Sequence, residues 1–452
     1  MTDKRSQSIP SATASRPFLG HLFEFRKDAI GFFSKNAQRF PTLFSFKLLS
    51  KKYIVLNHPK AVQQVLTTNV KNYTRKKSYA FLQELLGMGL LTNEGEEWRS
   101  RRRLAQPSFS REKLAALAEQ MDTAILTYFE KAFKENKPRS LEAELNNLTL
   151  AILTQSILYS ENNIHFENVR NDLQKALEYL TSKRFSVVKL MTQLPSPRKS
   201  NGKQAIQRLK LLIGDIIAER RKSTTPHHDL LEMLMNAKDE ETNKMLDDQA
   251  LADEVMTMFV AGHETTASAL LWTIYLLDKN PAVKKKMLVE LQQLPINGKF
   301  DLDQLNQLSY LRMIILESLR LYPPVWSFGR KALAEDEIMG YTIPAGASVN
   351  IPVYCIHRHP EFWQHPDTFF PEHFLPEEIK ARDKFAYLPF SQGMHRCIGE
   401  HFAIMEMQMV LARLYQKYEV NIETQELKLH PLVTLKPKEI IYFSLIKIEH
   451  ES

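Results

Sequence analysis

Apolar and polar positions alternate at helical spacing through the middle of the chain. Between Leu141 and Gln293 apolar residues such as Ile206, Leu209, Ile213 and Ile217 recur every three or four positions, the period of an amphipathic helix. A longer helix is predicted from roughly Asp248 to Leu277, and its stretch Val255–Leu277 is long and apolar enough to raise a membrane span. His263, Glu264 and several hydroxyls at its centre argue instead for a buried core helix. Further helices are read from near Asn93 and over Ser309–Leu321, the latter stopped by Pro323-Pro324. Leu43–Leu48 and Tyr53–Leu56 read as two strands around a basic turn, and Gly340–Gly346 as a turn between other short strands. Leu194-Pro195-Ser196-Pro197 breaks two helices, as a lid or as a plain surface loop. The pattern predicts a mainly α protein with a small, mainly N-terminal β region.

Length alone, 452 residues, suggests about three domains. The chain has no low-complexity linker and no repeat, so one domain over residues 1–452 is expected, with 1–17 as a flexible N-terminal segment. Met1–Ser15 is polar and lacks an apolar run, so no signal peptide and no transmembrane anchor are expected. Two cysteines argue against a disulfide scaffold and for a reducing compartment, and a cytoplasmic location is expected. The formal net charge of +8 is spread without an aromatic-interleaved patch, which argues against a nucleic-acid partner. His357, His359, His365 and His373 lack metal-ligand spacing.

Chemistry concentrates in a few short stretches. Cys397 lies in Phe390-Ser391-Gln392-Gly393-Met394-His395-Arg396-Cys397-Ile398-Gly399. Gly393 and Gly399 let backbone approach a large planar ligand, His395 and Arg396 can pair with its anionic groups, and Phe390 can shield the sulfur. A buried, inert cysteine is the other reading. Ala261-Gly262-His263-Glu264-Thr265-Thr266 falls inside the long helix, where Gly262 costs about 1 kcal/mol against Ala, so a local opening at a functional groove is expected. Glu317 and Arg320 share one face of the Ser309–Leu321 helix, as do Trp98 and Arg102 on theirs. Arg99, Arg101 and Arg103 around that last pair are expected to be solvated or partner-facing.

Together these stretches resemble the cytochrome P-450 superfamily of haem-thiolate monooxygenases over essentially the whole chain, from about Phe18 onward. The cysteine motif matches at Phe390, Gly393, Cys397 and Gly399 and departs at His395, where the family usually has arginine. Pro371-Glu372-His373-Phe374 departs likewise, with His373 in place of arginine. The resemblance implies the P-450 fold and haem b with a Cys397 thiolate axial ligand, without thioether attachment, since Cys-x-x-Cys-His is absent. It implies that Trp98, Arg102, Arg330 and His395 hold the propionates, and that Ala261 lies at the haem with the motif residues. Thr265 and Glu264 become the hydroxyl donor and proton relay on the oxygen side, and Glu317, Arg320 and His373 a structural network needed for haem retention.

Carried over by position, Phe81, Leu82, Met88, Phe259, Ala261, Val325, Trp326, Phe328, Val433 and Thr434 line the substrate pocket. The implied reaction inserts one atom of O2 into a C–H bond of an apolar molecule, a fatty acid, terpenoid or carotenoid. The wording is nearest to bacterial fatty-acid and carotenoid hydroxylases. Too few residues follow Cys397 for a flavin or iron–sulfur domain, so electrons are expected from a separate acidic ferredoxin or flavodoxin and its reductase, acting on a monomer. A peroxide-driven or rearranging haem-thiolate enzyme, or a non-catalytic haem sensor or carrier, has no need of Glu264 and Thr265 together.

Overall fold

A computed structural model describes residues 7–13, 15–135, 137–158, 166–185, 197–227, 229–295, 298, 300–423 and 426–449. The chain folds into two compact units, one of Met1–Ser78, Leu316–Cys397 and Leu429–Lys436, the other of the remaining segments.

The first unit is built on a five-stranded sheet. Its strands run in the order Leu43–Leu48, Lys51–Leu56, Ser348–Ile351, Phe328–Ala332 and Tyr73–Thr74. All pairs are antiparallel except that of Lys51–Leu56 with Ser348–Ile351, where Ile54 faces Val349. The three N-terminal strands therefore depend on later chain for two of the five strands of the sheet. Leu43, Ile54, Leu56, Val349 and Ile351 are buried on it. An aromatic cluster of Phe25, Phe32, Phe33 and Phe46 forms a second core, in which Phe46 stacks on Tyr53 at 5.1 Å. The segment read as a turn, Gly340–Gly346, contains the strand Tyr341–Ile343, paired with Asp336–Ile338. The turn proper is Met339-Gly340, both in the left-handed region at φ 52° and 82°. Within the segment read as flexible, the Gln7 N–H donates to Gly340 O and the Ala12 N–H to Ser45 O.

The second unit is mostly helical. Its longest element, Asp248–Lys279, starts at Asp247, whose side chain accepts from the Ala250 N–H at 2.7 Å. The helix is apolar on nearly all sides because nearly all sides are covered. A three-stranded sheet joins Arg139–Ser140, Tyr442–Lys447 and Tyr418–Glu423. Deep in this unit Arg413 makes two hydrogen bonds to Asp122, at 2.7 and 2.6 Å, with its guanidinium 3.6 Å from the Phe300 ring centre. The helix Pro197–Lys222 opens on a proline, a residue suited to a first turn. Leu194, Pro195 and Ser196 lie outside the described residues. No helix among the described residues is long and apolar enough to cross a membrane.

Candidate functional site

Phe390–Cys397 forms a loop closed on itself. The Cys397 N–H donates to Phe390 O at 2.9 Å, and the Arg396 N–H to Gly393 O at 3.1 Å. Gly393 has φ 75°, and a Cβ there would stand 2.2 Å from Leu66 O. Its missing side chain thus serves packing against the turn Gln64–Thr68, not only ligand approach. Gly399 has ordinary room, the nearest atom to an added Cβ being Phe109 Cε1 at 3.9 Å.

The two cysteines differ sharply. Cys397 is exposed, whereas Cys355 is buried in the aromatic core and its thiol is pushed up to about 12 by burial. A thiolate offered to a ligand near neutral pH can come only from Cys397. That donor set fits a haem held through sulfur. Phe390 and His395 are half-buried beside it in sequence. Arg330 is buried on the strand Phe328–Ala332, donates to Gly329 O at 2.9 Å and lies 5.0 Å over the Phe328 ring.

A buried charged network supports this loop from within the same unit. Arg320 grips Glu317 through two hydrogen bonds of 2.7 Å each and donates to the carbonyls of His357 and Thr368 at 2.9 Å. Glu317 also accepts from the Phe370 N–H at 2.9 Å and lies 3.1 Å from His373 Nδ1, which brings His373 into the network. Three members are not legible in the sequence: Trp363, Arg382 and His357. Trp363 is flanked by Arg320 at 4.9 Å and Arg382 at 3.7 Å, and Arg382 donates to His373 O. Burial pulls the Arg382 guanidinium down to about 10. His357 is the third. Its Nδ1–H donates to Arg320 O at 3.0 Å, and its Nε2 accepts the Leu388 N–H at 2.7 Å. Burial pulls it down to about 3, so it is a neutral tie between the Arg320 helix and the approach to the cysteine loop. Among the described residues no group of three His, Cys, Asp or Glu side chains is arranged to hold a metal ion.

In the second unit Trp98 is buried on the helix Gly95–Ala105, and Arg102 Nε donates to Gln106 at 2.8 Å. The expectation for their neighbours needs correction. Arg99 does pair at the surface with Glu96, but Arg101 reaches the buried Glu254 at 3.2 Å, and Arg103 reaches Asp239 at 2.9 Å. These arginines counter carboxylates that the fold has taken out of water. Glu254 also accepts from the Leu90 N–H, and the adjacent Asp253 from the Met88 N–H at 2.8 Å. Gly87, at φ 56°, and Gly89 have no room for a Cβ against Asp253 and Thr257. The loop after Leu86 is therefore pinned to the start of the long helix. Burial lifts Glu254 to about 7 despite Arg101.

The long helix runs unbroken through Ala261–Thr266, so the expected opening there is absent. Gly262 has a packing reason, since a Cβ would meet Leu153 at 3.1 Å. Thr265 Oγ1 donates to Ala261 O at 2.6 Å, the usual resting bond of a mid-helix threonine, and Glu264 is half-buried. Glu406, on the helix Glu400–Lys417, is fully buried with neither carboxyl oxygen hydrogen-bonded at good geometry. Burial raises it well above the carboxylate range, with the Thr266 hydroxyl opposing.

The expected pocket walls divide by burial. Ala261, Met88 and Val325 are exposed, and Phe81 and Val433 half-buried. Leu82, Phe259 and Thr434 are buried. Trp326 and Phe328 belong to the cores of the first unit, Trp326 with its indole N–H on Leu432 O at 3.1 Å. Both rings pack within these cores.

The sequence profile described as Cytochrome P-450 matches residues 10–443. Cyclooctat-9-en-7-ol 5-monooxygenase of Streptomyces melanosporofaciens is 29% identical, over 92% of this chain and 91% of its own. Cytochrome P-450 4V2 of Homo sapiens is 28% identical, over 98% and 90%. Among solved structures, the heme domain of cytochrome P-450DA superposes with a TM-score of 0.87 at 25% identity, covering 98% of each chain.

Proposed function

Because this chain belongs to the cytochrome P-450 family and is a monooxygenase of that family, we propose that it hydroxylates an apolar small molecule, a terpenoid or fatty acid, at a C–H bond. The observation that carries the ligation is the contrast between exposed Cys397 and buried Cys355. A haem bound through that sulfur supplies O2 activation, which thiolate donation favours.

The protein's own residues do the rest. Trp98, Arg102, Arg330 and His395 anchor the propionates. Thr265 releases its hydroxyl from Ala261 O to donate on the oxygen side, and Glu264, half-open to water, passes protons inward. A relative named for cyclooctat-9-en-7-ol supports a hydrocarbon-rich substrate. Electrons come from a separate acidic ferredoxin or flavodoxin, in keeping with the net charge of +8.

An optical titration of the haem-loaded protein tests this reading. Terpenoid alcohols or fatty acids should shift the haem spectrum from the low-spin to the high-spin form. No shift with either class, alongside an intact thiolate band in the reduced CO complex, would overturn the substrate assignment.

A further inference from the structure

Charge and apolar exposure meet at the tip of the hairpin Leu43–Leu48/Lys51–Leu56 in a way that folding alone does not explain. Lys47 and Lys52 face each other directly across the antiparallel pair, and Lys51 faces Leu48. All three lysines are exposed, and no carboxylate pairs with them among the described residues. Like charges at facing positions repel, so this register favours an anion from outside.

The chain before the hairpin adds rings to the same tip. Gly20 bridges to Leu48, the Leu49 N–H donates to Leu19 O at 3.2 Å, and the His21 N–H to Lys47 O at 2.8 Å. That docking holds Phe18 outward, 96% exposed and with a left-handed backbone at φ 60°. The helix Leu22–Lys27 then turns Phe23, Arg26 and Lys27 outward at helical spacing, with Arg16 lying 5.0 Å over the Phe23 ring. The acidic residues of this stretch, between positions 15 and 52, are Glu24, 3.5 Å from Arg16, and Asp28, which caps the next helix.

Exposed aromatic rings ringed by cations match a lipid interface, where rings enter the headgroup–acyl boundary and cations meet anionic phosphates. We propose that this tip is a docking surface for an anionic lipid bilayer. An acidic protein would use the lysines but gives no reason to hold Phe18 in the open. The surface is independent of the substrate assigned above.

Co-sedimentation of the haem-loaded chain with phosphatidylcholine vesicles, with and without phosphatidylglycerol, tests it. Binding should require the anionic lipid and weaken with salt. Lys51→Glu/Lys52→Glu should weaken it by at least about fivefold per lysine removed. Phe18→Asn, which suits the left-handed backbone, should also weaken it while leaving the thiolate CO band intact. No binding to anionic vesicles at low salt would overturn the proposal. So would binding that the lysine variant loses but Phe18→Asn and Phe23→Ser retain, since that pattern describes a purely electrostatic, acidic-protein site.

Discussion

Glu317 and Arg320 share two hydrogen bonds of 2.7 Å, and neither side chain has any exposed surface. Removing one partner strands the other in a medium that cannot solvate it. Arg320→Leu or Glu317→Leu should destabilise the fold by about 3–5 kcal/mol. Urea unfolding checks the magnitude, and haem content after purification should fall in parallel.

The His357 ring is neutral because its surroundings cannot hold a charge. Its folded value lies at about 3, below its usual 6.5, so the unfolded chain takes up a proton that the folded chain refuses. The stability this gives is fully present above pH 6.5 and is lost as pH falls toward 3. The slope should approach roughly 1.4 kcal/mol per pH unit in that window. Urea midpoints of the parent and His357→Gln across it would show whether the slope belongs to this side chain.

Cys397→Ser should abolish the thiolate band of the reduced CO complex, while Cys355→Ser leaves it in place. A band surviving in the first variant would make Cys355 the ligand, against its burial and raised thiol.

Glu254 carries the opposite sign to His357. With its folded value raised to about 7 from 4.5, its contribution is complete below pH 4.5 and is lost as pH rises through 7. Hydrogen exchange at the Leu90 amide, which it accepts, should quicken across that range. Glu254→Gln should flatten the profile.

Thr265→Ala should lower product formation and raise peroxide release by about tenfold or more, the scale on which positioned proton donors act. Unchanged coupling would remove the hydroxyl from proton handling.

The long helix and the Ser309–Leu321 helix are legible in the sequence because their signals are local, an apolar period in one and a proline stop in the other. Glu317 and Arg320 are legible as a pair because helical spacing of three puts them together. What is not legible joins residues far apart. Arg101 finds Glu254 153 positions later, and His357 bridges Arg320 and Leu388, 37 and 31 positions away. Arg382 and Trp363 carry no motif at all. Gly393 is legible as a glycine that matters, but Leu66, which requires it, cannot be found from the loop's own sequence. Trp326 and Phe328 show the converse difficulty, since an apolar residue beside a motif looks alike whether it faces a cavity or a core.

The clamp between Asp122 and Arg413 spans 291 residues of chain. Closing so long a loop costs entropy that only the finished core can offset. During synthesis Asp122 leaves the ribosome long before its partner exists, and it must remain hydrated until then. The second unit therefore cannot complete its interior one segment at a time. A nascent chain halted before Arg413 should be open to proteases around Asp122, and should become resistant only once the final helix is released.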